Sequence, residues 1–194
     1  MNRGLLAGIL ALVAMILAGC ANTMPEKADL MPDIKGQSAG IYPAALDVIV
    51  IGRDKRPDPS VILYEMDNEP VQRLTNRIPP QVLIKDSLVQ GLRQQGLNLG
   101  DRSDISITVL VKELQAKVTK PRALYESQAR TRLQIIVGNY GNVVTLEYNR
   151  EANKESLTRP QVLFLETMLN DQLTETITKI LEDRRLQDAI RGRQ

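Results

Sequence analysis

From Leu46 onward the chain switches between apolar residues spaced for strands and apolar residues spaced for helices. Val48-Ile49-Val50-Ile51 is an unbroken β-branched run, the pattern of a strand covered on both faces. Arg53 to Pro59 is polar, contains two prolines and reads as a loop, and Val61-Ile62-Leu63-Tyr64 reads as a second short strand. Pro79-Pro80 predicts a helix start, because proline is tolerated in the first turn. Its apolar stripe is Ile84, Leu88, Val89 and Leu92, and Gly96 is a natural stop. Ile105, Ile107, Val109 and Val111 then alternate with other residues, and so do Leu114, Ala116 and Val118, but on the opposite parity. Side chains change face at every residue, so one strand keeps both sets inward only with an extra residue. That predicts a β-bulge near Lys112-Glu113; the alternative is a strand that passes from one covered face to another.

Lys120-Pro121 punctuates a long hairpin, after which Ala129, Thr131, Leu133, Ile135 and Val137 face one way. Gln128, Arg130, Arg132 and Gln134 face the other. The turn 138–142 leads into Val144, Leu146 and Tyr148, the third strand of a meander. Thr158 and Gln161 form a capping-box pattern ahead of a long helix reaching about Asp183, with the stripe Val162, Leu165, Leu169, Leu173, Ile177 and Ile180. A short terminal helix follows, with Leu186 and Ile190 on one side. The order predicts an α+β fold: one mostly antiparallel four- to five-stranded sheet with two amphipathic helices packed on one face. The other face, with Arg130, Arg132 and Gln134, is then wet.

The start of the chain has a different character. Met1-Asn2-Arg3 is a short positive lead, Gly4 to Leu17 is uncharged and apolar, and Leu17-Ala18-Gly19-Cys20 closes it. The run is short for a membrane span, which needs about 20 residues. It fits an export signal that is removed; a transmembrane anchor is the other reading. Leu-Ala-Gly-Cys resembles the lipobox of bacterial lipoproteins. The resemblance implies diacylglycerol transfer to the Cys20 sulfur, cleavage after Gly19, and acylation, typically by palmitate, of the new amino terminus. Several acyl chains anchor stably where one holds only marginally. Ala21 stands where many such proteins carry an inner-membrane retention Asp, which implies sorting to the outer membrane with the domain in the periplasm. The domain organisation expected is thus a signal peptide over 1–19, a lipidated N-terminus and flexible tether over 20–44, and one α+β periplasmic domain over 45–194. The tether reading rests on absent periodicity and on Pro25, Pro32, Pro43, Gly36 and Gly40. As a coil it would span about 25–30 Å; an ordered arm is the alternative.

Composition removes most chemistry. The chain has 194 residues with no His, no Trp and one Cys. No Ser-His-Asp triad, Cys-His pair, His-ligated metal site or internal disulfide is therefore available. A formal net charge of +2 argues against nucleic acid, and one Phe with five Tyr gives little for base stacking. Glu147 and Glu151 are not singled out by spacing as a glycosidase pair. No cofactor or metal is expected, and the protein is expected not to be an enzyme. One constellation remains: Lys112, Lys117, Lys120, Arg122, Arg130 and Arg132, on two adjacent strands and their turn. They would form a patch for anionic lipid headgroups, lipopolysaccharide phosphates or an acidic partner, or else a merely solvated face.

The lipobox, the Pro-opened helix ending at Gly96, the run Ile105 to Val118, the meander and the closing helix with Leu169-Asn170-Asp171 resemble the YajG family of bacterial lipoproteins. The resemblance covers nearly all of Leu46 to Ile190. The architecture is more distantly similar to small envelope lipoproteins such as the lipopolysaccharide-assembly subunit LptE. Two functions follow as expectations. One is an outer-membrane-anchored accessory subunit, with a periplasmic or outer-membrane protein as partner. The other is a binding module for an anionic envelope glycolipid or glycan through the basic sheet face.

Overall fold

A computed structural model describes residues 24–43, 46–100 and 102–192. The expected signal peptide over 1–19 and the expected acylation site Cys20 lie outside the described residues. Among the described residues, eight strands and three helices follow one another: β1 (Lys27–Ala28), β2 (Asp47–Asp54), β3 (Ser60–Tyr64), β4 (Gln72–Asn76), α1 (Pro80–Gln94), β5 (Asn98–Leu99), β6 (Ile105–Thr119), β7 (Tyr125–Asn139), β8 (Asn142–Ser156), α2 (Val162–Glu182) and α3 (Arg184–Arg191).

The fold is α+β, but the sheet is larger than four or five strands and is mixed. β6, β7 and β8 form the antiparallel meander, and β3 pairs β4 antiparallel. The pairs β2–β6, β3–β6, β2–β5 and β1–β4 are parallel. β6 organises the whole. One edge is bonded to β7 along its length, while β2 lies beside its first half and β3 beside its last residues. β2 and β3 therefore share one lane of the sheet, end to end.

The expected bulge is present: the β6–β7 register shifts between Val111 and Glu113, leaving Lys112 without a partner residue. Through it both apolar sets of β6 are buried, Ile107, Val109 and Val111 before it and Leu114, Ala116 and Val118 after it. The gap between β2 and β3 falls beside the same point. There the Arg56 guanidinium donates to the carbonyls of Ser60 and Leu114 and to the Asp54 carboxylate, while the Lys55 amide donates to Val111.

The helices cover one face of the sheet. Ile84, Leu88 and Leu92 of α1 and Leu165, Leu169, Leu173 and Ile177 of α2 are buried with Ile105, Ile107, Leu133 and Ile135 of the strands. At Gly52 in β2, any Cβ would overlap the carbonyl oxygen of Gln81, so glycine is what lets α1 approach this closely. α2 begins at Val162 with Gln161 at its N-cap and no side-chain cap, instead of at Thr158. Tyr64 donates its hydroxyl to the Pro160 carbonyl at 2.9 Å, and the Arg159 guanidinium donates to Gln72 at 2.9 Å. These bonds hold residues 159–160 outside the helix. Among the described residues no helix is long and apolar enough to cross a membrane.

The segment expected as a flexible tether is an ordered arm where it is described. Ala28 and Leu30 are fully buried, and Ile34 and Tyr42 nearly so. The amides of Asp29, Met31 and Asp33 donate to Glu166 Oε1, Asn170 Oδ1 and Thr174 Oγ1 at 2.7, 2.8 and 3.0 Å. Alternate residues of an extended chain thus meet side chains spaced four apart on α2, which stand in for a neighbouring strand.

Candidate functional site

Alternation along β7 places Arg130 and Arg132 on the outward face, as expected. Cross-strand register then decides their surroundings. Arg130 lies opposite Glu151 of β8, and Arg132 opposite Glu113 of β6. Arg132 meets Glu113 at 3.5 Å, and Arg130 lies 3.7 Å from Glu151 and 4.0 Å from Glu113. Gln128 and Gln134 donate to Glu151 and Glu147. The face is a mixed lattice of guanidinium, carboxylate and amide groups.

The remaining cations are dispersed. Lys117 pairs with Glu65 at 2.6 Å and holds that exposed carboxyl below its ordinary pKa. Lys120 sits over the Tyr125 ring, 4.5 Å from its centroid. Arg122 is exposed in the β6–β7 connection, and Lys112 is exposed at the bulge. Lys117, Lys120 and Arg122 belong to one end of the sheet, whereas Arg130 and Arg132 lie partway along β7. The six cations are thus spread over the bulge, one end of the sheet and the middle of β7.

A groove at the start of α2 is lined by Met24, Tyr64, Gln72, Arg159, Leu163 and Glu166, among others. The Arg159 guanidinium lies 4.8 Å from the Tyr64 ring centroid and meets Glu69 at 3.3 Å, while its Nε is buried without a partner. Burial raises the Tyr64 pKa; the charge of Arg159 works against this and that of Glu166 with it. Tyr64 and Arg159 stand far apart in the chain and no local motif joins them, so sequence reasoning missed the groove. For the arm a signal did exist: Glu166, Asn170 and Thr174 recur at four-residue spacing beside the apolar stripe of α2.

A second cluster holds the α2–α3 junction. Asp183 caps α3 by accepting the Arg185 amide, pairs with the Arg185 guanidinium at 2.6 Å, and accepts the Tyr148 hydroxyl at 2.9 Å. The bonds from Arg185 outweigh burial and, with that from Tyr148, bring the Asp183 pKa down to about 2. Burial and the bond to Asp183 raise that of Tyr148. The cluster ties β8, α2 and α3 together.

The described residues form an α+β fold of helices on a mixed sheet, and the match to a known family gives the class, a lipoprotein. The family described as "Uncharacterized lipoprotein" matches residues 32–191, and the chain belongs to it. Uncharacterized lipoprotein YajG of Escherichia coli K12 is 24% identical over 182 residues, covering 93% of this chain and 94% of that protein. The same protein of E. coli O6:H1 strain CFT073 matches equally. A Xanthomonas campestris protein of known crystal structure shares the fold at a TM-score of 0.54 and 13% identity, over 85% of this chain and 96% of that one.

Proposed function

We propose that the protein is an outer-membrane lipoprotein, acylated at Cys20 and facing the periplasm, that works without catalysis as an accessory or interaction subunit in envelope assembly or maintenance. The observation that carries the interaction reading over glycolipid binding is the charge pairing of the outward sheet face. Arg130 and Arg132 spend their positive charge on Glu113 and Glu151. Phosphate capture at a surface needs several cations converging within a screening length of about 8 Å. Membership of a lipoprotein family and the Leu17–Cys20 sequence support the anchor. The absence of imidazole and of a second thiol supports a non-catalytic role.

The test is affinity capture of the full-length lipoprotein from chemically crosslinked envelopes, with protein and lipopolysaccharide quantified together. One protein recovered in fixed stoichiometry supports the subunit reading. Lipopolysaccharide or glycan recovered without protein overturns it in favour of the binding module. Intact mass spectrometry of the same sample reports on the anchor, since an unmodified Cys20 in the mature chain would sink that part.

A further inference from the structure

Large apolar side chains are left bare at the β7–β8 turn, where Tyr140 and Val143 are exposed, and at the opposite end of the molecule. Leu157 is 82% exposed, Leu163 70% and Phe164 42%. Phe164 is the sole phenylalanine of the chain, the residue type a core would ordinarily claim. Leu157 follows the end of β8, and Leu163 and Phe164 occupy the first turn of α2. Met24, 39% exposed, lines the same groove as Leu163. Val71, also exposed, adjoins Gln72 of that groove. Exposed apolar side chains gathered at one end mark an interaction surface.

We infer that this end of the domain, with Leu157, Leu163 and Phe164 leading, rests on the lipid bilayer. The inference builds on acylation at Cys20. Reach selects the occupant. Met24 stands four residues after Cys20. Four residues span at most about 14 Å when fully extended. The arm pairs with β4 from Lys27 and is bonded along α2 from Glu166 to Thr174, so the leash from Cys20 is at most seven residues, about 25 Å. The start of α2, and with it the bare apolar end, is thereby held at the membrane. The opposite end, the β7–β8 turn with Tyr140 and Val143, lies the length of a 15-residue hairpin away. That is about 45–50 Å at ordinary strand rise. Amphipathic surfaces that lie on membranes sink apolar side chains to the headgroup–acyl boundary, and leucine and phenylalanine suit that depth. Charge contributes little, because it is balanced at this end. Lys117 pairs with Glu65 and Arg159 with Glu69, and Lys120 and Arg122 stand beside Glu126 and Glu155. Contact is through apolar side chains and does not require anionic lipid.

The test uses the acylated full-length protein reconstituted in phosphatidylcholine vesicles, with single cysteines Leu157→Cys, Leu163→Cys or Val143→Cys carrying an environment-sensitive fluorophore. All three sites are exposed, so each variant keeps the packing of the parent. Acylation of Cys20 leaves the introduced thiol as the one available for labelling. Brominated phosphatidylcholine should quench the labels at 157 and 163, with blue-shifted emission, and leave the label at 143 unaffected. Equal behaviour at all three sites overturns the inference. Shielding of 157 and 163 from aqueous iodide without quenching by bromolipid also overturns it, and assigns the patch to a protein partner or a second copy. Mass spectrometry of the same samples separates the two levels. An acylated Cys20 with no quenching defeats the contact surface alone, whereas an unmodified Cys20 defeats the anchor and the reach argument with it.

Discussion

Arg56 closes the gap that two strands leave by sharing one lane of the sheet. Its side chain is 4% exposed and that of Asp54 25%. Burial would raise the Asp54 pKa, but the hydrogen bonds and charge of Arg56 outweigh it and the net is below the ordinary value. Removing the guanidinium takes its bonds from a half-buried carboxylate and from the Leu114 carbonyl, and leaves the Ser60 carbonyl to Gln115 alone. Arg56→Ala should therefore cost about 2–3 kcal/mol in urea denaturation, with Arg56→Lys recovering only part because an ammonium lacks the planar fork. Asp183 gives a pH signature. Its folded pKa of about 2 lies below the unfolded value of about 3.9, so its contribution is complete above the latter and is lost as pH falls through the former. The loss should amount to about 1–2 kcal/mol, discounted for the exposure of Arg185. Asp183→Asn should remove this part of the acid destabilisation between pH 5 and 2, as read by Tm against the parent. On the outward face, Arg130→Glu with Arg132→Glu sets carboxylates against Glu113 and Glu151. Both sites are exposed, so the cost should stay within about 1 kcal/mol per pair. Lipopolysaccharide binding by the parent should be no stronger than by this double variant at low or physiological salt; clearly stronger binding would revive the glycolipid module.

At the level of elements, legibility followed length and period. β6, β7 and α2 carry 15 or more residues each, and their alternation or helical stripe marked them, their buried faces and the bulge in β6. β1 and β5 have two residues apiece, too few for any period, and are set by partners distant in sequence. β4 reads Gln-Arg-Leu-Thr-Asn, buries only Leu74 and Asn76, and gave no apolar signal. Thr158 looked like a cap because a capping box is a local pattern, while the bond from Tyr64 to Pro160 that displaces the helix start is not. For the candidate site, alternation disclosed which residues of β7 face outward. It could not disclose Glu113 and Glu151 opposite them, since register across three strands depends on the bulge and the turns. The bulge itself can be tested by deleting Lys112. Restoring strict alternation would turn one half of β6, either Ile107 to Val111 or Leu114 to Val118, away from the helices. The expected outcome is loss of cooperative urea unfolding, against a near-neutral effect of Lys112→Ala at the same exposed position. Leu169→Ala, in the stripe that faces the sheet, should cost about 2–5 kcal/mol by the same measurement.

Across the whole molecule, the arm converts a leash into a fixed attachment. A coil from Cys20 to residue 44 would let the domain swing about 25–30 Å. With residues 28–34 clamped, only residues 21–27 stand between Cys20, the proposed acylation site, and the clamp. The clamp has two parts that mutation can separate. Ala28 and Leu30 contribute apolar burial, and Glu166, Asn170 and Thr174 contribute acceptors for three alternate amides. Replacing all three acceptors with Ala leaves the apolar contacts in place but strips the arm of its partner ladder. Each lost bond is worth about 0.5–1.5 kcal/mol, enough together to favour local opening of an edge segment over global unfolding. The triple variant should thus show faster hydrogen exchange at Asp29, Met31 and Asp33 and proteolytic cleavage within residues 25–36. Exchange in β6 and β7 should stay near the parent's rates, because those strands pair with each other over their full length. Leu30→Ala should behave differently, lowering global stability, since that side chain is fully buried in the core. Unchanged exchange along the arm in the triple variant would show that apolar burial alone holds it and that the acceptors on α2 contribute nothing to its attachment.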